Sequence, residues 1–557
     1  MKKIFALVIS VLLVMSALSA GFASTVTNQT EHTYNVYQIF SGTQASDAGN
    51  TALGDVEWGT GINGSAFLTA LQGDDRFVVG DPAANIFAGI TSSETKAAEK
   101  VAKALADNNN EAIAKAFANV AAANLTSTVI ATVAGNAVSS DLPAGYYLFV
   151  DSSNIGEGDA ANTALLQITN QSAGLTIAKK YDVPTLDKDI TGVNSTDLSS
   201  APIEATDVNI GDTVTYQLTG TLPENYADYE NYYYKFTDTL TKGQAVAANA
   251  IHVYLVNGET KTDVTAKFAI DPTTAIPGTA DSTTITITNS NLKDATNGIS
   301  GVTATSKIVV EYNVTITADA VIGGTGNRNT GKLTYSNNPN NTGDGNPTSD
   351  TPEDYTLVFT YDLKPTKVDK AEPTKKLPGA QFVLKATNGD HAGKWVQIDA
   401  ATKKLTGWLD TEPTALDTVP TSGDTGVLVS NSTGDFEVYG LDAGTYELKE
   451  IKAPQGYNLL TETIAIEITA TITGDDTSTH NSDTPALDTL KIKVGEHQNE
   501  TDYSSTGILP ATVENGQGST LPTTGGMGTT ILYVAGSILV LAAGILLVTK
   551  RRMNAED

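Results

Sequence analysis

The sequence predicts a mainly β protein of tandem β-sandwiches, the first with an inserted helical segment, followed by a helix able to cross a membrane. Three observations predict it. Short runs that alternate Thr, Val, Ile and Tyr recur between Gly- and Asn-rich turns, the pattern of half-buried strands. One stretch, 92–123, is instead rich in Ala and helical in composition. The 557 residues suffice for three or four cores, and 40% of them are apolar, too many for a disordered chain.

The charge narrows the function. A net charge of −29 with no basic patch repels nucleic acid, so nucleic-acid binding is set aside. There is no cysteine, hence no disulfide and no thiolate metal site. The five His, at 32, 252, 391, 480 and 497, lack ligand spacing. Neither a metal nor a cofactor is expected.

The elements follow in order. Lys2, Lys3 and the apolar run 4–18, then small residues to Ala23, read as a signal peptide over 1–23. Residues 24–180 open with strand-like alternation over 33–40. The Ala-rich stretch forms one or two helices, broken by Asn at 108–110. Residues 181–361 carry strand patterns at 213–218, 233–236, 251–256, 283–288 and 308–316, the spacing of a sandwich. Residues 362–516 form a smaller sandwich, with strands at 381–385, 426–429, 436–439, 446–449 and 464–468. One weak repeat links the first and third regions. Leu142-Pro143-Ala144-Gly145-Tyr146-Tyr147-Leu148-Phe149 matches Leu441-Asp442-Ala443-Gly444-Thr445-Tyr446-Glu447-Leu448, and both read as a turn entering a core strand.

Residues 517–557 close the chain in three parts. Leu521-Pro522-Thr523-Thr524-Gly525 comes first, then the apolar run 529–549, then a tail at 550–557 that opens with Lys550, Arg551 and Arg552. This order resembles the cell-wall sorting signal of sortase substrates. The resemblance implies cleavage between Thr524 and Gly525 and transfer of the Thr524 acyl group to an amine.

The third region holds the sharpest internal motif. Tyr446-x-Leu448-x-Glu450-x-x-Ala453-Pro454-x-Gly456-Tyr457 resembles the E-box of Gram-positive pilins, with Ile451 where the family usually has Thr. In that family the Glu assists a buried Lys of the first strand in attacking an Asn side-chain amide of the last strand. Ammonia leaves and an isopeptide bond remains. The resemblance assigns Glu450 as catalyst and Lys367 as nucleophile, with Lys364 the alternative. Asn515, in Thr512-Val513-Glu514-Asn515, is the acceptor. The chemistry requires burial. An apolar setting favours the neutral, nucleophilic amine, and it favours the protonated form of carboxylic acids, which can polarise a carbonyl. The fold supplies proximity, so no external enzyme is needed.

The second region offers a parallel set. Pro184-Thr185-Leu186-Asp187-Lys188, Gly211-Asp212-Thr213-Val214-Thr215-Tyr216, Phe236-Thr237-Asp238-Thr239-Leu240 and Asn329-Thr330-Gly331-Lys332-Leu333 occur in the order of the middle, isopeptide-forming domain of backbone pilins. By that resemblance Lys188 is the nucleophile, Asp238 the catalyst and Asn329 the acceptor. Gly331 stands where the family often has Ala, and Asn337 and Asn338 lie nearby. No bond is expected in the first region, whose first Lys after the leader is Lys96. Asp151 occupies the repeat position of Glu450 and reads as a turn residue. At the first boundary, Leu175-Thr176-Ile177-Ala178-Lys179-Lys180 resembles a degenerate pilin motif. It gives Lys179 as the polymerisation lysine, with Lys180 the runner-up.

Taken together the chain is identified as resembling the sortase-assembled major (backbone) pilins, with immunoglobulin-like domains of CnaA and CnaB type. The resemblance implies a secreted, wall-anchored surface pilus subunit whose only chemistry is autocatalytic. Its implied partners are pilus-specific and housekeeping sortases, further copies of itself, minor pilins, peptidoglycan and a host surface ligand. The alternative is a wall-anchored adhesin or minor pilin that binds a host ligand without polymerising. No inserted Asp-x-Ser-x-Ser adhesion site is present. A wall-bound enzyme is disfavoured, because no Ser/His/Asp set or carboxylate pair stands out.

Overall fold

The computed structural model describes residues 24–553, except 45–51, 81, 162, 169–174, 179–181, 195, 340–346, 476–483 and 519–526. The first region is built on a five-stranded sheet ordered Leu53–Trp58, Tyr34–Gln44, Gly145–Asp151, Thr163–Ile168, with Ala131–Val133 also on the second strand. Helices α1 (Gly64–Gln72), α2 (Ala97–Asp107) and α3 (Glu111–Ala122) cover one face, and Phe67, Leu71, Val101 and Phe117 fill the space between. The Ala-rich stretch is thus two helices. Asn110 ends the break by capping α3, its side chain accepting from the Ile113 amide. Helix α1 was not expected, being short and without strong periodicity. The parallel pair Val26–Asn28 and Leu175–Ile177 closes a second small core around Tyr34, Val36 and Phe149.

The middle region is a sandwich of two seven-stranded sheets. In one, Leu186–Val193, Thr213–Gly220 and Lys307–Ile316 are consecutive neighbours. In the other, Asp354–Phe359, Asn327–Ser336 and Tyr234–Thr241 are. Their inward faces meet in one core that includes Tyr216, Leu218, Tyr234, Phe236, Tyr312 and Leu333. In the third region a three-stranded sheet, Val438–Leu441, Tyr361–Asp369 and Ile508–Asn515, faces a nine-stranded one containing Gln381–Ala386 and Gly444–Lys452. Several expected strands shift by a residue or two: 426–429 is reduced to Leu428–Val429, and 436–439 becomes Val438–Leu441. The strand Ala486–Val494 was absent from the sequence expectation.

The regions are joined tightly. Thr360 alone separates the strands Asp354–Phe359 and Tyr361–Asp369. Ala205, Ile210, Leu357 and Phe359 pack into the core of the third region. Between the first and middle regions, the Gly158 amide donates to the Asp350 carbonyl (2.8 Å) and the Ala161 amide to that of Asn337 (2.7 Å). Helix α4 (Met527–Met553) is fully exposed where described, and its segment Ile531–Arg551, mean hydropathy 2.6, is long and apolar enough to cross a membrane.

Candidate functional site

Strand periodicity sets the third-region site. In Gly444–Lys452 the alternation sends Tyr446, Leu448 and Glu450 inward. In Ile508–Asn515 it sends Leu509, Ala511, Val513 and Asn515 inward. Lys367 projects inward from Tyr361–Asp369, which runs parallel to Ile508–Asn515 over eight residue pairs. Three polar side chains therefore meet inside an apolar sandwich, Lys367 and Asn515 with no exposure at all.

The contacts are short and mutual. Lys367 Nζ donates to Asn515 Oδ1 and lies 3.3 Å from Glu450 Oε1. Asn515 Nδ2 donates to both Glu450 oxygens, at 3.1 and 3.0 Å, and to the Asn458 carbonyl at 2.9 Å. The Lys367 amine also sits 5.4 Å from the centre of the Phe382 ring, which stacks on Phe436. Burial lowers the Lys367 pKa to about 8, with Glu450 opposing the shift. Lys364, the alternative, points outward into an ion pair with Glu437.

The second half of the E-box is a lid. Pro454 accepts from the Tyr457 amide in a turn that needs positive φ at Gly456 (+85°). The returning chain ties Tyr457 to Asp369 (2.6 Å) and gives the Leu460 amide to Glu450 Oε2 (2.8 Å).

The middle site is built the same way from other strands. Alternation directs Asp238 inward from Tyr234–Thr241 and Asn329 inward from Asn327–Ser336, while Lys188 enters from Leu186–Val193. All three are completely buried. Lys188 Nζ donates to Asp238 Oδ1 at 3.0 Å and lies 5.0 Å from the Tyr216 ring centre. Burial lowers the Lys188 pKa, against the pull of Asp238. Gly331 makes room here: a Cβ would fall 3.3 Å from Lys188 Cδ and 2.9 Å from Leu218 Cδ2. Of the nearby asparagines, Asn337 is committed elsewhere, to Ser349 Oγ at 2.8 Å.

Sequence reasoning missed Tyr312. Its hydroxyl donates to Asp238 Oδ2 and accepts from Asn329 Nδ2 at 2.7 Å. In the sequence it is one of several aromatics at inward strand positions, with nothing to set it apart. Asp151 ends a strand and, as expected of a turn residue, accepts from the Ser153 amide two positions on (2.9 Å), but its carboxylate also meets His32 Nδ1 at 2.5 Å, while Asp159 meets Nε2 at 2.8 Å. Their separation in sequence hides this trio. No group of His, Asp or Glu able to hold a metal occurs among the described residues. Lys179, Lys180, Leu521-Pro522-Thr523-Thr524-Gly525 and the leader 1–23 lie outside the described residues.

A buried amine of lowered pKa beside a carboxyl group that contacts the side-chain amide, directly at Glu450 and through Tyr312 at Asp238, suits amide exchange with loss of ammonia. The fold and these sites define a protein of tandem β-sandwiches, two of which each bury a lysine, a carboxyl group and an asparagine. Residues 362–482 match the SpaA prealbumin-like fold domain, and 513–555 match the LPXTG cell wall anchor motif. The chain is similar to the trypsin-resistant surface T6 protein of Streptococcus pyogenes serotype M6, 24% identical over 448 residues, which span 71% of this chain and 74% of that one. Its fold is that of the three-domain T6 backbone pilin from the same organism (TM-score 0.50, 17% identity), covering 90% of this chain and all of the other. The full-length major pilin SpaD of Corynebacterium diphtheriae aligns over 90% of this chain and 99% of its own, at TM-score 0.44 and 14% identity.

Proposed function

We propose that this chain is the major structural subunit of a covalently polymerised, wall-anchored surface pilus. It is a structural protein and a sortase substrate. The observation that carries the reading is the pairing of an LPXTG anchor at 513–555 with similarity to the T6 surface protein along most of the chain. Sortase joins Thr524 of one subunit to Lys179 of the next, and a last transfer attaches the polymer to peptidoglycan.

Within each subunit, Lys367 condenses with Asn515 assisted by Glu450, and Lys188 condenses with Asn329 assisted by Asp238. The buried amines and their direct carboxylate contacts support this part of the reading. The domains run 24–180, 181–361 and 362–516, and only the latter two carry a bond.

The deciding experiment is the Lys179→Ala variant expressed on cells with their sortases. The high-mass ladder of wall extracts should vanish. A ladder that persists moves the acceptor to Lys180, and one surviving removal of both lysines overturns this linkage.

A further inference from the structure

The two sites differ in how the carboxyl group reaches the asparagine. In the third region Glu450 touches the leaving nitrogen directly, with both oxygens near Asn515 Nδ2. In the middle region the carboxyl side chain is one methylene shorter. Asp238 uses Oδ1 on Lys188 and reaches Asn329 through the hydroxyl of Tyr312. The carbonyl sides differ too. Asn515 Oδ1 accepts from Lys367, whereas Asn329 Oδ1 is buried with no donor within reach among the described residues. The middle site is therefore organised around the leaving group.

We infer that Tyr312 is a catalytic residue of the middle site, relaying a proton from Asp238 to the departing nitrogen of Asn329. The inference rests on the reading that Lys188 and Asn329 condense. The step balances as follows. The Lys188 ammonium first gives a proton to the Asp238 carboxylate, and a half-turn of the carboxyl group places that proton on the oxygen facing Tyr312. The neutral amine attacks Cγ of Asn329, the carbonyl π pair moves onto the Asn329 oxygen, and the Nδ2 lone pair is no longer shared with the carbonyl. The attacking nitrogen then loses a proton to the Asp238 oxygen facing Lys188 while the other Asp238 oxygen gives one to Tyr312, whose own proton passes to Nδ2. The pair on the Asn329 oxygen re-forms the carbonyl, the C–N bond to Nδ2 breaks and ammonia leaves. Of the three ammonium protons, one stays on the new amide, one departs in ammonia and one remains on Asp238. A buried phenol suits the role, since burial and the neighbouring Asp238 raise its pKa well above the ordinary value and keep it neutral. The hydroxyl already holds both partners, so the relay needs only the half-turn of the Asp238 carboxyl group and reversal of two hydrogen bonds.

The test follows newly synthesised chains in a cell-free reaction by intact mass and by mapping the Lys188–Asn329 cross-linked peptide. Each bond lowers the mass by about 17 Da, the mass of ammonia, and the Lys367–Asn515 bond in the same molecule is the internal control. Tyr312→Phe should slow the middle bond roughly a hundredfold or more, as loss of general acid catalysis does, with the control bond unchanged. Adding Asp238→Glu to Tyr312→Phe restores the missing reach and should recover most of the rate. A role for Tyr312 in packing alone would leave that double variant as slow as the single one. Bond formation in Tyr312→Phe at the wild-type rate, or a double variant no faster than the single, overturns the relay. A wild-type chain that never forms the middle bond overturns both the relay and the condensation it rests on.

Discussion

The first and third regions share a frame and differ in what closes it. Each pairs its first strand in parallel with its last: Val26–Asn28 with Leu175–Ile177, and Tyr361–Asp369 with Ile508–Asn515. The internal repeat is the same turn in both. The Tyr147 hydroxyl donates to the Pro143 carbonyl (2.9 Å), and the Tyr446 hydroxyl donates to that of Asp442 (3.1 Å). From that shared turn, the same count along the strand leads to Asp151 in one region and Glu450 in the other. Glu450 meets a lysine and an asparagine, whereas Asp151 meets His32. The carboxylate position thus belongs to the frame, and the partner decides whether the closure can become covalent, as proposed for Lys367 and Asn515, or is ionic. An imidazole has no route to a stable amide here, so the first region keeps a reversible contact.

Removing the proposed covalent closures should have the largest effect. Lys367→Ala or Asp238→Ala should each abolish one mass loss of about 17 Da. Each should also lower the stability of its own region by roughly 5 kcal/mol, the chain-entropy value for closing a loop of about 150 residues. Intact mass with denaturant unfolding checks this, and retention of both losses in either variant would dissolve the contrast between regions. Glu450→Ala should likewise remove the third-region loss while leaving the middle one, a result read from the two cross-linked peptides.

A smaller effect should separate the first region by pH. Burial works to lower the His32 pKa, but the hydrogen bonds and charges of Asp151 and Asp159 prevail and raise it above 6.5. The stabilisation is therefore full below pH 6.5 and is lost as pH rises through the folded-state value. Protection of the Gly145–Asp151 amides, exchange measured relative to its intrinsic base-catalysed rate, should fall over that range, and Asp151→Asn should flatten the dependence. A pH-independent protection factor in the wild type would show that His32 is not the reversible clamp.

The smallest effect tests the frame itself. Tyr147→Phe and Tyr446→Phe each delete the shared bond to the turn carbonyl, worth about 1 kcal/mol, together with one further contact, from Gln38 Nε2 to Tyr147 (3.0 Å) and from Tyr446 to Asp442 Oδ1 (2.6 Å). Both losses should be measurable by regional exchange or proteolysis, that of Tyr446→Phe the larger because its second acceptor is a carboxylate; no loss in either variant would mean the turns are alike only in sequence.

Much of this is legible in the sequence alone. The spacing Tyr446-x-Leu448-x-Glu450 is strand parity, so one apolar position predicts that the Glu faces inward. The Ala-rich stretch and its Asn break gave two helices at the expected place. Lys364 and Lys367 differ in parity, and only Lys367 shares the inward side with Leu363. What stayed hidden depends on long-range pairing. Tyr312 reaches Asp238 across 74 positions and His32 reaches Asp151 across 119. A strand-core tyrosine and a lone histidine carry no local mark of either partnership, which arises only when sheets stack.

The single-residue link at Thr360 has a further consequence once both amide links are in place. The strand that pairs with Asn329, Asp354–Phe359, leads directly into Tyr361–Asp369. The shortest covalent route through the two sandwiches then crosses from Lys188 to Asn329 and from Lys367 to Asn515, leaving 189–328 and 368–514 as side loops. About 290 residues, roughly 950 Å of fully extended chain, can never be paid out per subunit. A fibre of such subunits would lengthen little under load, because unfolding either sandwich would release only what 330–366 holds on that route.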